Sequence, residues 1–153
     1  MRERWRLATE DEVFDVVDRL RVEDIEECYA MMGMHPREMF ILQGVQPETY
    51  VIRNSQGDNV ALAGVVPDNG MGQVWMIATP LIERHALEFA KYSRPFLEAT
   101  TSHYPLLYNW VHAANETHLR WLKWCGFTFI HKHESFGALG EPFYTFVRIN
   151  KCV

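Results

Sequence analysis

A chain of 153 residues, 48% apolar and 23% charged, has the size and composition of a single globular domain, which we expect to span residues 1–153. Its formal net charge of −5 argues against a protein that binds nucleic acid regardless of sequence, because such proteins present a basic face. No apolar run approaches the roughly 20 residues of a membrane-spanning helix, and the charged amino terminus lacks the apolar core of a signal peptide.

The cysteines indicate a reducing compartment. Cys28, Cys125 and Cys152 are odd in number and far apart, so they form neither a disulfide framework nor a zinc-binding spacing. We therefore expect the protein to be cytoplasmic and to have no contact with a membrane.

The chain begins with a short predicted strand and a capped helix. Arg4 to Leu7 is predicted to be extended. Thr9 followed three residues later by Glu12 is a capping box, so a helix should begin at Glu10.

A second helix is predicted from about Glu23 to Met32, ended by Gly33, and Arg37 to Leu42 is compatible with one or two further helical turns. Helical spacing places four residues on its apolar face: Val22, Ile25, Cys28 and Met32.

Three consecutive antiparallel strands follow, joined by turn-forming segments at 54–59 and 67–72 that contain glycine. The predicted strands are Thr49–Ile52, Val60–Val66 and Gln73–Ala78. Leu81 to Ser93 has helical spacing, and Pro95 either kinks that helix or begins a second one with Ser93 as its cap.

The last third contains a strand, a helix and two strands. Leu106 to Val111 is apolar enough for a strand buried on both faces. Glu116 to Cys125 is predicted to be helical and is ended by Gly126; strands are expected from Phe127 and over Phe143–Ile149. The order β-α-α-β-β-β-α-β-α-β-β predicts an α/β fold with a mixed sheet covered by helices on both faces.

The segment that begins with Asn115, continues through a predicted helix and ends with Gly126-Phe127 resembles the closing half of the GNAT N-acetyltransferase fold. A narrower resemblance, to a small GNAT-like family of podovirus-type tailed phages labelled internal virion protein A, depends on residues in the second half of the chain. These residues are Trp110-Val111, Asn115, Thr117-His118, Arg120, Leu122-Lys123 and Gly126.

The resemblance implies an acetyl-CoA site between the strands Gln73–Ala78 and Leu106–Val111, where parallel neighbours separate. In the family a backbone N–H of the fourth strand binds the acyl carbonyl, which here implies Met76, Ile77 or Ala78, and Asn115 contacts the coenzyme. The pyrophosphate lies at the next helix start, where the resemblance implies Arg84 and His85. The segment 79–86 has none of the glycines usual there, which favours a simple buried helix start.

The resemblance also directs attention to two histidines. His118 is near the position of the family's acidic tyrosine, and His112 is placed at the strand end to act as a base, with Asn109 orienting a water. Glu26 and Glu27 are candidates for the acceptor side. The alternatives are a solvent-facing His118, a His112 that satisfies a strand-end hydrogen bond, and a solvated acidic helix face that also includes Glu23 and Asp24.

Two further sets of residues have simpler interpretations. His131 and His133 share a strand face but have no evident third metal ligand, so we interpret them as a solvent-facing pair and predict no metal site. Trp121 and Trp124 cannot both face the core, so one of them is expected to be exposed and available to a partner or to an adenine ring.

Two functions follow. The first is transfer of an acetyl group from acetyl-CoA to an amine-bearing substrate. The alternative is a non-catalytic GNAT-like phage protein that acts in virion assembly or binds a host protein, because a fold can outlast its site. The protein is then expected in the host cytoplasm or in the virion, and the sequence leaves its oligomeric state open.

Overall fold

A computed structural model describes residues 4–150, so Cys152 lies outside the described residues. In chain order the elements are β1 (Trp5–Leu7), α1 (Glu10–Val17), α2 (Val22–Met32), α3 (Pro36–Gln43), β2 (Thr49–Arg53), β3 (Asn59–Asp68), β4 (Met71–Ala78), α4 (Leu81–Arg84), α5 (Ala86–Thr101), β5 (Leu106–His112), α6 (Glu116–Trp124), β6 (Thr128–Phe136) and β7 (Glu141–Ile149).

The strands form one mixed sheet in the order β1-β2-β3-β4-β5-β7-β6. Strands β4 and β5 are parallel neighbours, and the other neighbouring pairs are antiparallel. The last strand, β7, lies between β5 and β6. The predicted fold class and element order are confirmed; α3 corresponds to the helical turns expected near Arg37 to Leu42, and α4 is a short helix separated from α5 at His85.

Side chains that alternate along β4 pack against helices on both faces of the sheet. Trp75 and Ile77 pack with α1 and α3, whereas Val74 contacts the core beneath α5 and α6. Met76 and Ala78 extend that second core towards α4. Because both faces are covered, the middle of the sheet is largely buried.

Local signals placed several helix ends correctly. The Glu12 N–H donates to Thr9 Oγ1 over 3.3 Å and the Thr9 N–H donates to Glu12 Oε1 over 2.9 Å, so the predicted capping box is present. Gly33 and Gly126 end α2 and α6 with φ of 73° and 86°, a left-handed conformation that favours glycine.

The predicted apolar face of α2 is only partly right: Ile25 and Cys28 are half-buried, but Val22 and Met32 are exposed. Val22 is 64% exposed, whereas Asp24 is 2% exposed, because the side of the helix that carries Arg21 and Asp24 turns inward to meet polar backbone groups of the sheet. Of the two alternatives at Pro95, a second helix capped by Ser93 is wrong. The helix is interrupted at His85 and then continues through Pro95, and the buried Ser93 hydroxyl donates to the Ala90 carbonyl.

Candidate functional site

The predicted gap between β4 and β5 is present. The strands are paired only near their beginnings, at Gly72 with Leu107 and Gln73 with Tyr108. Beyond these pairs the strands separate, and the Asn109 side chain bridges the start of the gap by donating to the Val74 carbonyl over 2.7 Å. The later residues of β4 therefore turn an unpaired backbone edge towards β5.

Strand alternation decides which predicted amides face this gap. Ala78 directs both its N–H and its carbonyl away from β3, since both groups bond to residues of the α2 region. Every second residue of an antiparallel strand points the same way, so the Met76 N–H also faces the gap, whereas Ile77 faces β3 opposite Leu62.

The amino-terminal end of α2 fills the gap beside Ala78. The Ala78 N–H donates to Asp24 Oδ2 over 2.9 Å, and the Ala78 carbonyl accepts from the Arg21 N–H over 2.8 Å. Asn115 completes the network by donating to Asp24 Oδ1 over 3.1 Å and accepting from the Arg21 guanidinium over 2.9 Å. The side chains of Arg21, Asp24 and Asn115 are all buried.

This network contains charges held away from water. Burial raises the pKa of Asp24 above its ordinary value, although the nearby Arg21 and His118 oppose that shift. Arg21 Nε lies 3.5 Å from Asp24 Oδ2 and 3.9 Å from the exposed Glu23 carboxylate. The guanidinium is thus shared between a buried acid and a surface acid.

Glu27, one turn beyond Asp24, connects the two predicted histidines. Its Oε1 accepts from the His112 N–H over 2.7 Å, and its Oε2 lies 3.5 Å from His118 Nδ1. Burial lowers the pKa of His118, but Glu27 and Asp24 raise it by more, so the net pKa is raised. The His112 ring is buried beside Phe143, with Nε2 3.1 Å from Glu141 Oε2.

Two separate cavities lie beside the gap and share lining residues. A cavity of about 340 Å³ lies on the side of α2 and α3, and a cavity of about 40 Å³ lies on the side of α5 and α6. The larger one has an apolar wall rich in methionine, formed by Met31, Met32 and Met39, and an acidic end at Asp24 and Glu27. His118 lines both cavities, so it sits at the point where they approach each other through the sheet.

The helix start after β4 offers an anion little access. Pro80 has no N–H, the Thr79 hydroxyl donates to the Val60 carbonyl, and Ile82 is buried. Arg84 is exposed, and the His85 ring lies between Asn54 Nδ2 at 3.5 Å and Glu88 Oε2 at 3.8 Å. Pyrophosphate binding by Arg84 and His85 stays a prediction.

Asn115, His112 and His118 are brought to the gap, and Arg84 and His85 lie apart from it. From the sequence, Asp24 was predicted to belong to a solvated helix face, and Arg21 was not predicted to be functional. Glu27 was predicted to line the acceptor side. Three-residue spacing of Arg21, Asp24 and Glu27 along one helix face was the available signal.

The sequence pattern also predicted the environments of the tryptophan pair of α6 and of the histidine pair of β6. Trp121 packs against the core and Trp124 is exposed, as the pattern required, with the Arg94 guanidinium 4.5 Å from the Trp124 ring. The His131 and His133 rings lie 4.5 Å apart, and the His133 ring forms a hydrogen bond with the Thr145 hydroxyl.

Among the described residues, no helix combines the length and apolar character needed to cross a bilayer.

Solved structures with this arrangement of elements are GNAT acetyltransferases. A GCN5-related N-acetyltransferase from Kribbella flavida superposes with a TM-score of 0.72 at 16% identity, covering 95% of this chain and 96% of that one. A GNAT-family acetyltransferase from Bacillus anthracis also has a TM-score of 0.72, at 8% identity over 95% and 93% of the two chains. The ribosomal-protein-S18-alanine N-acetyltransferase from Escherichia coli has a TM-score of 0.67 at 12% identity over 97% and 94%. At these identities the likeness establishes the GNAT fold.

Sequence comparison points to phage proteins. No curated protein matched the chain. A family model described as "Bacteriophage T7, probable scaffold protein Gp13" matches residues 49–134, which is more than half of the chain and includes β2 to β5, α6 and most of β6. The chain therefore belongs to the phage family of the T7 probable scaffold protein Gp13.

Proposed function

We propose that this chain is a non-catalytic phage assembly protein that keeps the GNAT fold as a structural framework. The observation that carries this proposal is the pairing of Ala78 with Asp24 and Arg21. An acyl-CoA arm laid along the free edge of β4 would need those same N–H and carbonyl groups. Here α2 of the protein occupies them, and displacing it would leave Arg21 and Asp24 buried without their partners.

The turn after β4 supports the same proposal. A pyrophosphate is held at a helix amino terminus by free backbone amides that can be closely approached. Pro80 removes one amide, and Ile82 is packed into the core with its N–H donated to the Thr79 carbonyl. A coenzyme would therefore find the Ala78 groups already bonded along its pantetheine arm and few free amides for its pyrophosphate.

The family description favours a role in the virion. A scaffold role and a role as an internal virion protein both fit a protein whose surface, rather than a catalytic cleft, is used. The partner in this proposal is another virion protein.

Acetyl transfer is the second candidate, favoured by the Met76 N–H beside the 340 Å³ cavity. In that reaction the amine nitrogen would attack the thioester carbon, the Met76 N–H would stabilise the oxyanion, and the C–S bond would break. His118 would protonate the leaving thiolate and His112 would take the proton of the amine. Asn115 would contact the coenzyme.

The two candidates are separated by titrating acetyl-CoA to about 1 mM while following the melting temperature, because a ligand that binds only the folded state must raise it. We expect no shift. A shift that is lost in Asn115→Ala but kept in His112→Ala would overturn the structural proposal, provided that both variants fold without ligand.

The assembly role is tested in the phage that encodes the chain. Mass spectrometry of purified procapsids should detect the protein, and its retention in mature particles would distinguish an internal virion protein from a scaffold that leaves. Absence of the protein from both particles would contradict an assembly role.

A further inference from the structure

We propose that Asp24, Glu27 and His118 form a binding site for one divalent transition-metal ion, with Zn²⁺ as the best match. Each residue offers one ligand atom, and these atoms all lie within 4.8 Å of one another. All three side chains line the 340 Å³ cavity, so an ion held by them would keep one coordination position open towards that space.

His118 supplies the independent observation that a ligand belongs here. Its side chain is 7% exposed, and its Nδ1 is a buried atom with no hydrogen-bond partner among the described residues. Glu27 Oε2 is 3.5 Å away, which is too far for a well-formed hydrogen bond. A buried polar atom without a partner is costly, and a metal ion between the imidazole and the carboxylates would satisfy it.

The hydrogen bonds around the cluster are those that orient metal-binding carboxylates. Asp24 accepts from the Ala78 N–H and from the Asn115 amide, and Glu27 accepts from the His112 N–H. These donors come from β4, β5 and the start of α6. The two acids are therefore held in place by backbone N–H groups and by one amide, and both line the cavity.

Charge is compatible with a divalent ion. Arg21 is the cation beside the cluster, and its guanidinium donates to Asn115 while Nε is shared by Asp24 and Glu23. With a neutral His118, three carboxylates face one guanidinium, and an ion of charge +2 makes the group neutral. Two oxygens and one imidazole nitrogen suit a borderline metal, and Zn²⁺ binds such sites more tightly than Mn²⁺ or Fe²⁺.

The site is tested on full-length protein stripped with EDTA, titrated with Zn²⁺ by calorimetry and with Co²⁺ by visible absorption. We expect one ion per chain, with no sulfur-to-cobalt charge-transfer band even though Cys28 also lines the cavity. Glu27→Gln and His118→Gln should each weaken binding by about 10–100-fold or more, since ligand loss costs at least as much as loss of an outer partner.

The matched control is the surface pair His131→Ala/His133→Ala, whose rings lie 4.5 Å apart outside the cavity. This variant should bind as the wild type does. Loss of binding in the control, a thiolate charge-transfer band, or less than one ion bound by the wild type would overturn the site. Because the wild-type spectrum and the wild-type stoichiometry can each overturn the proposed metal site, the test holds even if a ligand variant fails to fold.

Discussion

The Asp24 carboxylate accepts a hydrogen bond from the Ala78 N–H over 2.9 Å, joining α2 to the last residue of β4 across the mouth of the gap. The two residues are 54 positions apart in sequence, so the contact closes a long loop of chain. It converts an unpaired sheet edge, which would otherwise need water or a ligand, into part of the folded interior.

Replacing Asp24 with Ala should lower the free energy of unfolding by about 3–5 kcal/mol, because the buried Arg21 guanidinium would lose its buried carboxylate partner. Urea unfolding followed by circular dichroism measures this change. Glu23→Ala is the control: Glu23 lies 3.9 Å from the same guanidinium but is exposed, so we expect a change within about 0.5 kcal/mol. Equal effects of the two substitutions would refute the importance of the buried contact.

Stability of the metal-free protein should fall as pH rises through the pKa of His118 in the folded state. Its pKa is raised above the ordinary 6.5, so the folded state holds the proton more tightly than the unfolded state. The resulting stabilisation is fully present below about pH 6.5 and is lost at higher pH.

Urea unfolding at about pH 6 and about pH 8 tests this, a range chosen to lie below ordinary thiol ionisation. The difference between the two pH values should shrink in His118→Gln and be unchanged in His131→Gln, whose ring lies on the exposed strand β6. An unchanged pH difference in His118→Gln would rule out this coupling.

Gly64→Ala should cost about 1–3 kcal/mol through overpacking. A Cβ atom on Gly64 would lie 2.5 Å from the indole of Trp75, its neighbour in β4. Urea unfolding measures the cost, and combining the substitution with Trp75→Leu should cost less than the sum of the single changes. Strictly additive effects would mean that the indole is not the obstacle.

Thr9→Ala should lower the free energy of unfolding by about 1 kcal/mol, because the Glu12 N–H at the start of α1 loses its acceptor. Thermal or urea unfolding is sufficient to detect this change. Thr9→Ser keeps the oxygen and should stay close to the wild type. If Ser and Ala behave alike, the capping hydrogen bond contributes little.

The features that were predicted correctly have causes contained within a few residues. The Thr9 capping box and the left-handed Gly33 and Gly126 are decided by one turn of chain. The order of elements follows from periodicity, and together with the GNAT resemblance it directed attention to Asn115 and His118, which lie beside the parting strands. For these features the local physics and the final structure agree.

The inward face of α2 was not predictable in this way, because its causes are remote. The buried Asp24 carboxylate accepts hydrogen bonds from Ala78 and Asn115, which are 54 and 91 positions away in the sequence. A local sequence pattern around Asp24 does not include these two residues. The apolar periodicity of α2 predicted that Val22 would be buried, because a hydrophobic pattern takes only apolar residues into account. Here the sheet offered unpaired backbone groups rather than an apolar surface, so the polar side of the helix was the one that became buried.

The central position of β7 has a consequence for biosynthesis. This strand pairs with β5 on one side and β6 on the other, so neither has this neighbour until residues 141–149 have left the ribosome. Until then the nascent chain has two unsatisfied strand edges, which are prone to pair with other chains. Truncation within β7 would leave β5 unpaired on that side and separate β6 from the rest of the sheet, so newly made protein depends on β7 to avoid aggregation.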